Sequence, residues 1–219
     1  MHKFEKPSVT ADIVIFTIKD NDLKVLLVKR KIAPFKDTWA LPGGFVRIDE
    51  SLEDAAKREL EEETGVKDVY LEQLYSFGNP KRDPRGRVIT IAYMALVNSE
   101  NIKLKATTDV SDAQWFSIKK IPQLAFDHKK ILDYSLKRLK WKFEYTTVAF
   151  SLLPKKFAIS QIQKIYETVF NKNFDKRNFA KKIVSLNILK EEGIKKDVSH
   201  RPPMLYSLKK NIGDVVEII

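Results

Sequence analysis

The 219-residue chain contains no cysteine. Disulfide frameworks and thiolate metal sites are therefore excluded, and the composition fits a reducing compartment. No uncharged apolar run approaches the roughly 18 residues of a membrane span. The opening stretch, MHKFEKPSVT, lacks the apolar core of a secretory signal. A cytoplasmic location is the expectation. Hydrophobic residues still make up 43% of the chain, enough for a packed core, and the length suits one large or two modest domains.

What is present is concentrated first between Gly44 and Val66. Gly44, Glu50, Arg58, Glu59, Leu60, Glu62, Glu63, Gly65 and Val66 stand at intervals G-x5-E-x7-R-E-L-x-E-E-x-G-V. A chance match at a given start is on the order of 10⁻⁹ with ordinary residue usage. Ser51 followed by Asp54 reads as a helix cap, and Gly65 suits a left-handed helix end. Leu52, Ala55, Ala56 and Leu60 give an apolar stripe at helical spacing. Glu59, Glu62 and Glu63, at i, i+3 and i+4, project from one helical face, where like charges repel by a few tenths of a kcal/mol per pair. A hard cation such as Mg²⁺, which takes oxygen ligands and shares its sphere with phosphates, removes that repulsion. A solvated acidic face is the ordinary use of such a run; Gly44, Arg58 and Gly65 in register argue against it here.

The pattern is the signature of the Nudix hydrolases, which the segment closely resembles. The resemblance implies an α/β/α sandwich with a mixed sheet and Mg²⁺-dependent cleavage of a nucleoside diphosphate linked to a group X, with Mn²⁺ as an alternative metal. It implies Glu59, Glu62, Glu63 and the Gly44 carbonyl as metal ligands, Arg58 orienting Glu59, and Glu50 as an outer ligand or structural residue. The general base often comes from a loop outside the box. Asp109 and Asp112 are the acidic candidates, with a turn role open for either.

Before residue 145, β-rich runs alternate with two helical stretches. Ala11 to Ile18 and Leu23 to Arg30, separated by Lys19-Asp20-Asn21-Asp22, read as a hairpin. Trp39 to Leu41, Leu71 to Phe77, Val88 to Ala95 and Ala113 to Ser117 read as strands, and Phe126 to Lys140 as a helix. The loop Phe77 to Arg87 carries Lys81, Arg82, Arg85 and Arg87 among prolines and glycines. It resembles the loop of ADP-ribose-type Nudix domains, and guanidinium groups there suit a diphosphate. Plain solvated turn charges are the alternative. Phe35 and Trp39 are candidates to stack on an adenine ring, with Trp39 equally suited to the core.

Residues 146–219 change character. Ser160 can cap a helix with Ile162, Ile165, Tyr166 and Val169 inside; Asp175 can cap the next, with Phe179, Ile183 and Leu186 inside. The second helix carries Lys176, Arg177, Asn178, Lys181 and Lys182 on its other face. Gly193 and the stretch from Asp197 to Pro203 mark turns around a ribbon closing on Met204 to Leu208. This is the layout of a winged helix, with its second helix offered to the major groove of double-stranded DNA. Residues 1–145 hold 26 Lys and Arg against 22 Asp and Glu, whereas 146–219 hold 14 against 7. The shorter segment thus carries the larger excess, the footprint expected for a phosphate backbone. Arg177 and Asn178 can read base edges; Lys181, Lys182, His200 and Arg201 suit phosphates.

A Nudix domain over residues 1–145 followed by a winged helix over 146–219 resembles the Nudix-related transcriptional regulators along nearly the whole chain. Members of the NAD branch sense ADP-ribose or related nucleotides. That resemblance implies a regulator, expected as a homodimer on two half-sites, which keeps its hydrolytic positions intact. The alternatives are an idle ADP-ribose or sugar sensor, and a housekeeping hydrolase whose C-terminal module only dimerises.

Overall fold

A computed structural model of the protein describes residues 6–65, 69–98, 110–194, 202–213 and 215–219, with only the backbone of Glu63, Thr64 and Val110. β-Branched and aromatic residues build β1 (Ser8–Lys19) and β2 (Asp22–Arg30). Between them Asp20 and Asn21 both adopt φ +56°. A two-residue turn that matches strand twist needs this left-handed pair, and Asp and Asn accept it more readily than other side chains.

β3 (Trp39–Ala40), β4 (Gly43–Phe45), β5 (Tyr70–Phe77), β6 (Val88–Leu96) and β7 (Val110–Ser117) complete a seven-stranded sheet. Its order is β3-β2-β1-β6-β5, with β4 also on β1 and β7 also on β2. β1 is parallel to β6 and antiparallel to β4, so the sheet is mixed. β4 has no strand signal in the sequence, since its three residues Gly43-Gly44-Phe45 carry little strand propensity. Pairing with Thr10, Ala11 and Asp12 imposes it.

Helix α1 (Leu52–Thr64) starts where the Ser51 side chain accepts from the Asp54 amide and ends at Gly65, φ +69°, whose N–H reaches Glu61 O at 2.7 Å. Ala55, Ala56 and Leu60 pack on Ala11, Ile13, Ile15, Tyr93 and Ala95 of the central strands. Val14, Phe16, Leu27 and Met94, of opposite parity, are equally buried, as a sheet covered on both faces requires. The architecture is the mixed α/β sandwich that the sequence suggested.

Two compact units emerge, Met1–Thr17 with Lys24–Leu136, and Ile18–Leu23 with Lys137–Ile219. The expected boundary at 145/146 falls at the end of α2 (His128–Tyr145), whereas the units part inside this helix. The last turns of α2 belong to the second core: the Phe143 ring lies 5.5 Å from Tyr166, whose hydroxyl donates to Phe143 O at 2.9 Å.

After a 3-10 helix (Thr147–Leu152) the second unit contains α3 (Ile159–Phe170), α4 (Lys176–Ser185), β8 (Leu189–Ile194) and β9 (Met204–Leu208). The cap of α3 is Ala158 rather than Ser160. Gln161 Oε1 reaches back to accept the Ala158 amide at 2.8 Å, which sets the start two residues earlier. Asp175 caps α4 as expected, accepting from Arg177 N and Asn178 N. Ile162, Ile165, Tyr166, Val169, Phe179 and Ile183 are buried, and β8 and β9 form an antiparallel ribbon. Among the described residues no helix is long and apolar enough to cross a membrane.

Candidate functional site

Arg58 organises the box. Its guanidinium grips Glu50 through Nε to Oε2 at 3.0 Å and Nη2 to Oε1 at 2.7 Å. Nη1 donates to Glu59 Oε1 at 2.6 Å and lies 3.6 Å from Glu62 Oε2. The Arg58 guanidinium holds the Glu50 carboxyl down at about 2. Glu59 behaves oppositely. It is 8% exposed, and burial pushes its carboxyl above the usual range, with the Arg58 hydrogen bond opposing. Gly44 is where it is because a Cβ there would sit 2.3 Å from Glu59 Oε1. A buried carboxylate resting against a bare backbone, with a second carboxylate one turn along, offers an all-oxygen donor set. Such a set fits a hard divalent cation. Among the described residues no three Asp, Glu or His side chains converge as a metal cage; the Glu63 side chain lies outside them, as does Asp109.

The box opens into a cavity of about 320 Å³ within the first unit, reached by Gly44, Glu59 and Glu62. Another part of its lining joins Arg85, from the basic loop, to Arg30, Phe45 and Phe126, which carry no signal in the sequence. Arg30, at the end of β2, places its guanidinium 4.9 Å from the centre of the Phe126 ring. Arg85 stacks 5.4 Å from Phe126 and 5.2 Å from Phe45. The Arg85 guanidinium also forks onto Asp83 at 2.7 to 3.3 Å. Burial works to raise the Asp83 carboxyl, but Arg85 outweighs it and leaves it below the usual range. Phe126 sits at φ +52°, a left-handed conformation rare for a bulky residue, of the kind found where a site constrains the chain.

Beneath this wall lies a buried polar knot. Arg82 donates to Asp127 Oδ1 at 2.8 Å and Asp12 Oδ2 at 3.3 Å, with its side chain 3% exposed. His128 Nδ1 accepts the Leu41 amide at 2.9 Å, so the neutral ring carries its proton on Nε2, 3.8 Å from Asp12 Oδ2. Burial lowers the His128 pKa against the opposing pull of Asp12. The Leu41 amide and Ile13 N–H, which donates to Pro42 O at 2.9 Å, bracket the segment leading to Gly44.

The remaining site residues expected from sequence are dispersed. Arg82 and Arg85 both line the cavity, the first tied inward and the second half-exposed. Arg87 is not among the lining residues and donates to Gly78 O at 2.7 Å. Phe35 stands edge-on to Phe126 at 4.8 Å, behind the wall, and Trp39 packs edge-on against Phe116 at 4.7 Å. Asp112 lies on β7, opposite Lys29, away from the cavity lining. Sequence did hold a signal for part of the knot: Asp12 is a lone carboxylate inside the apolar run of β1, only 6% exposed.

In the second unit, Lys176, Arg177, Asn178, Lys181 and Lys182 are all exposed on α4, while Phe179 and Ile183 turn inward. His200 and Arg201 lie outside the described residues.

The NUDIX domain pattern matches residues 7–135, and that of the NrtR DNA-binding winged helix domain matches 149–208. The chain is a Nudix-family protein of the NrtR type. It is 36% identical to the ADPR responsive transcriptional repressor NtrR of Acinetobacter baylyi, over 93% of this chain and 82% of that protein. The Nudix part is 43% identical to the ADP-ribose pyrophosphatase of Methanocaldococcus jannaschii, over 62% of this chain and 75% of that protein. The fold superposes on the crystal structure of Shewanella oneidensis NrtR complexed with a 27mer DNA, with TM-score 0.81 and 36% identity, over 92% of this chain and 93% of that one. For an NrtR-type protein the pairing of a carboxylate-bearing cavity with a basic helix is then the expected division of labour, one unit for a small ligand and one for DNA.

Proposed function

We propose that this protein is an ADP-ribose-responsive transcriptional repressor whose Nudix unit also hydrolyses ADP-ribose or a close analogue. The observation that carries the hydrolytic reading is the buried Glu59 carboxylate, held by Arg58 against Gly44 at the edge of the cavity. Glu59, Glu62, Glu63 and the Gly44 carbonyl would hold Mg²⁺, or Mn²⁺ in its place; when bound, the ion neutralises diphosphate charge and acidifies water. Arg30 and Arg85, stacked on Phe126, face the ligand's diphosphate. Arg82 keeps Asp12 and Asp127 in place and supports the wall from below. α4 enters the major groove of DNA, and a homodimer offers two such helices to half-sites about 34 Å apart. The DNA-binding role supports a protein that works in the compartment holding the chromosome, in keeping with the cytoplasmic reading.

A site that holds ADP-ribose without cleaving it is the second reading, favoured by the 36% identity, over 93% of this chain, to a protein named as an ADPR responsive repressor. The test is product analysis with ADP-ribose and Mg²⁺ for the wild type, Glu62→Gln and Glu63→Gln, run beside DNA retention with and without ADP-ribose. Absence of turnover in the wild type ends the hydrolytic claim. Retention that ignores ADP-ribose ends the claim of responsiveness.

A further inference from the structure

α4 carries an apolar side chain among its cations. Arg177, Lys181 and Val184 follow one another at i, i+4 and i+7, so they share one stripe of the helix. The stripe lies opposite Phe179 and Ile183, which are 5% and 0% exposed. Val184 is 52% exposed. Folding has no use for a valine there, since a β-branched residue is a weaker helix former than Ala or Lys and leaves its methyls in water. Other apolar side chains are as exposed, Ile48 and Ile194 among them, but Val184 stands on the stripe of α4 that carries cations, so whatever that stripe binds meets its methyls. Arg177 and Lys181 share its stripe and Lys176 and Lys182 add to the charge of the helix, so the same face of a second copy is disfavoured by repulsion and a polyanion is favoured.

In the major groove of DNA, guanine, cytosine and adenine present hydrogen-bonding atoms, and thymine alone adds a methyl group. We propose that Val184 reads a thymine methyl and is a specificity-determining residue of the DNA interface. This rests on the DNA-binding reading above. The geometry also fixes a spacing. Seven residues at about 1.5 Å rise separate Val184 from Arg177 by about 10 Å along the helix, close to three base pairs of about 3.4 Å each. The thymine therefore lies at most about three base pairs, measured along the duplex axis, from the base that Arg177 meets.

The test uses the full chain to select duplexes from a randomised pool, then replaces each thymine of the selected site singly with deoxyuridine, which removes only the methyl. The wild type loses about fourfold in affinity at one thymine per half-site, the value of one methyl-sized apolar contact. Val184→Ala, checked for an unchanged melting temperature, binds the methylated and unmethylated sites alike at that position and keeps the salt dependence of the wild type. Two results overturn the proposal: no thymine at which deoxyuridine matters, or a Val184→Ala protein that keeps the wild-type penalty. A change of oligomeric state in Val184→Ala, with no deoxyuridine effect, reassigns the side chain to contact between copies. Failure to select any duplex removes the DNA-binding reading itself.

Discussion

Two adjacent glycines make different demands, and replacing each by alanine separates catalysis from folding. A Cβ at Gly44 would lie 2.3 Å from Glu59 Oε1 and 2.9 Å from its Cδ. Relaxed contacts need about 3.5 Å, so the carboxylate must withdraw by about 1 Å. It is the end of a flexible side chain and can do so, but only by stretching its 2.6 Å bond to Arg58. A displacement of that size at a reacting centre costs about 100-fold in turnover, or about 2.7 kcal/mol of barrier, while the folded state loses no more than about 1 kcal/mol. At Gly43 the obstacle is backbone: a Cβ would meet Ala11 O at 2.2 Å and Asp12 Cα at 2.9 Å, and φ is +144°. Neither atom can give way inside the sheet, so Gly43→Ala loses at least about 2 kcal/mol of stability from strain alone. Thermal melts beside ADP-ribose turnover with Mg²⁺ read both quantities. Unchanged turnover in Gly44→Ala, or equal destabilisation by the two changes, would refute the placement of Glu59 against Gly44.

The polar knot makes further predictions. Because burial depresses the His128 pKa below its ordinary 6.5, the unfolded chain takes up a proton before the folded one. Stability contributed by His128 is therefore present above about pH 6.5 and is lost as the pH falls through the folded pKa. Denaturant melts from pH 7.5 to 5.5 should show this acid limb, and His128→Gln, whose Oε1 can still accept from the Leu41 amide, should flatten it. Arg82→Ala leaves Asp12 and Asp127 buried without their shared cation and should cost about 3 to 5 kcal/mol of folding stability, measured by urea titration. Arg30→Gln should instead leave the melting temperature near wild type and weaken ADP-ribose binding about tenfold by calorimetry, the loss of one charge-assisted contact. Asp175→Ala removes the cap of α4 and should cost about 1 kcal/mol in the second unit; a wild-type melt would show the capping bonds to be idle.

Local chemistry explains which parts were legible beforehand. The α1 cap at Ser51, its end at Gly65, the Asp20-Asn21 turn and the cap at Asp175 depend on residues a few positions apart, and each stands where the pattern put it. The exposed face of α4 was legible for the same reason, since helical periodicity sorts inward from outward residues. The cavity wall was not. Arg30, Phe126 and His128 meet through sheet pairing and the path into α2, and no spacing rule connects positions about a hundred residues apart. Arg82 shows the limit most clearly. Within its loop it is indistinguishable from Arg85 and Arg87, yet Asp12 from β1 and Asp127 from the turn just before α2 draw it inward.

That inward arginine also bears on the missing cysteines. Arg82 fastens together segments that lie 70 and 45 residues away along the chain, the kind of long-loop closure that secreted domains obtain from a sulfur bridge. Here the fastening is ionic and reversible, indifferent to thiols and reductants. A regulator built this way keeps its ligand cavity assembled whatever the redox state around it.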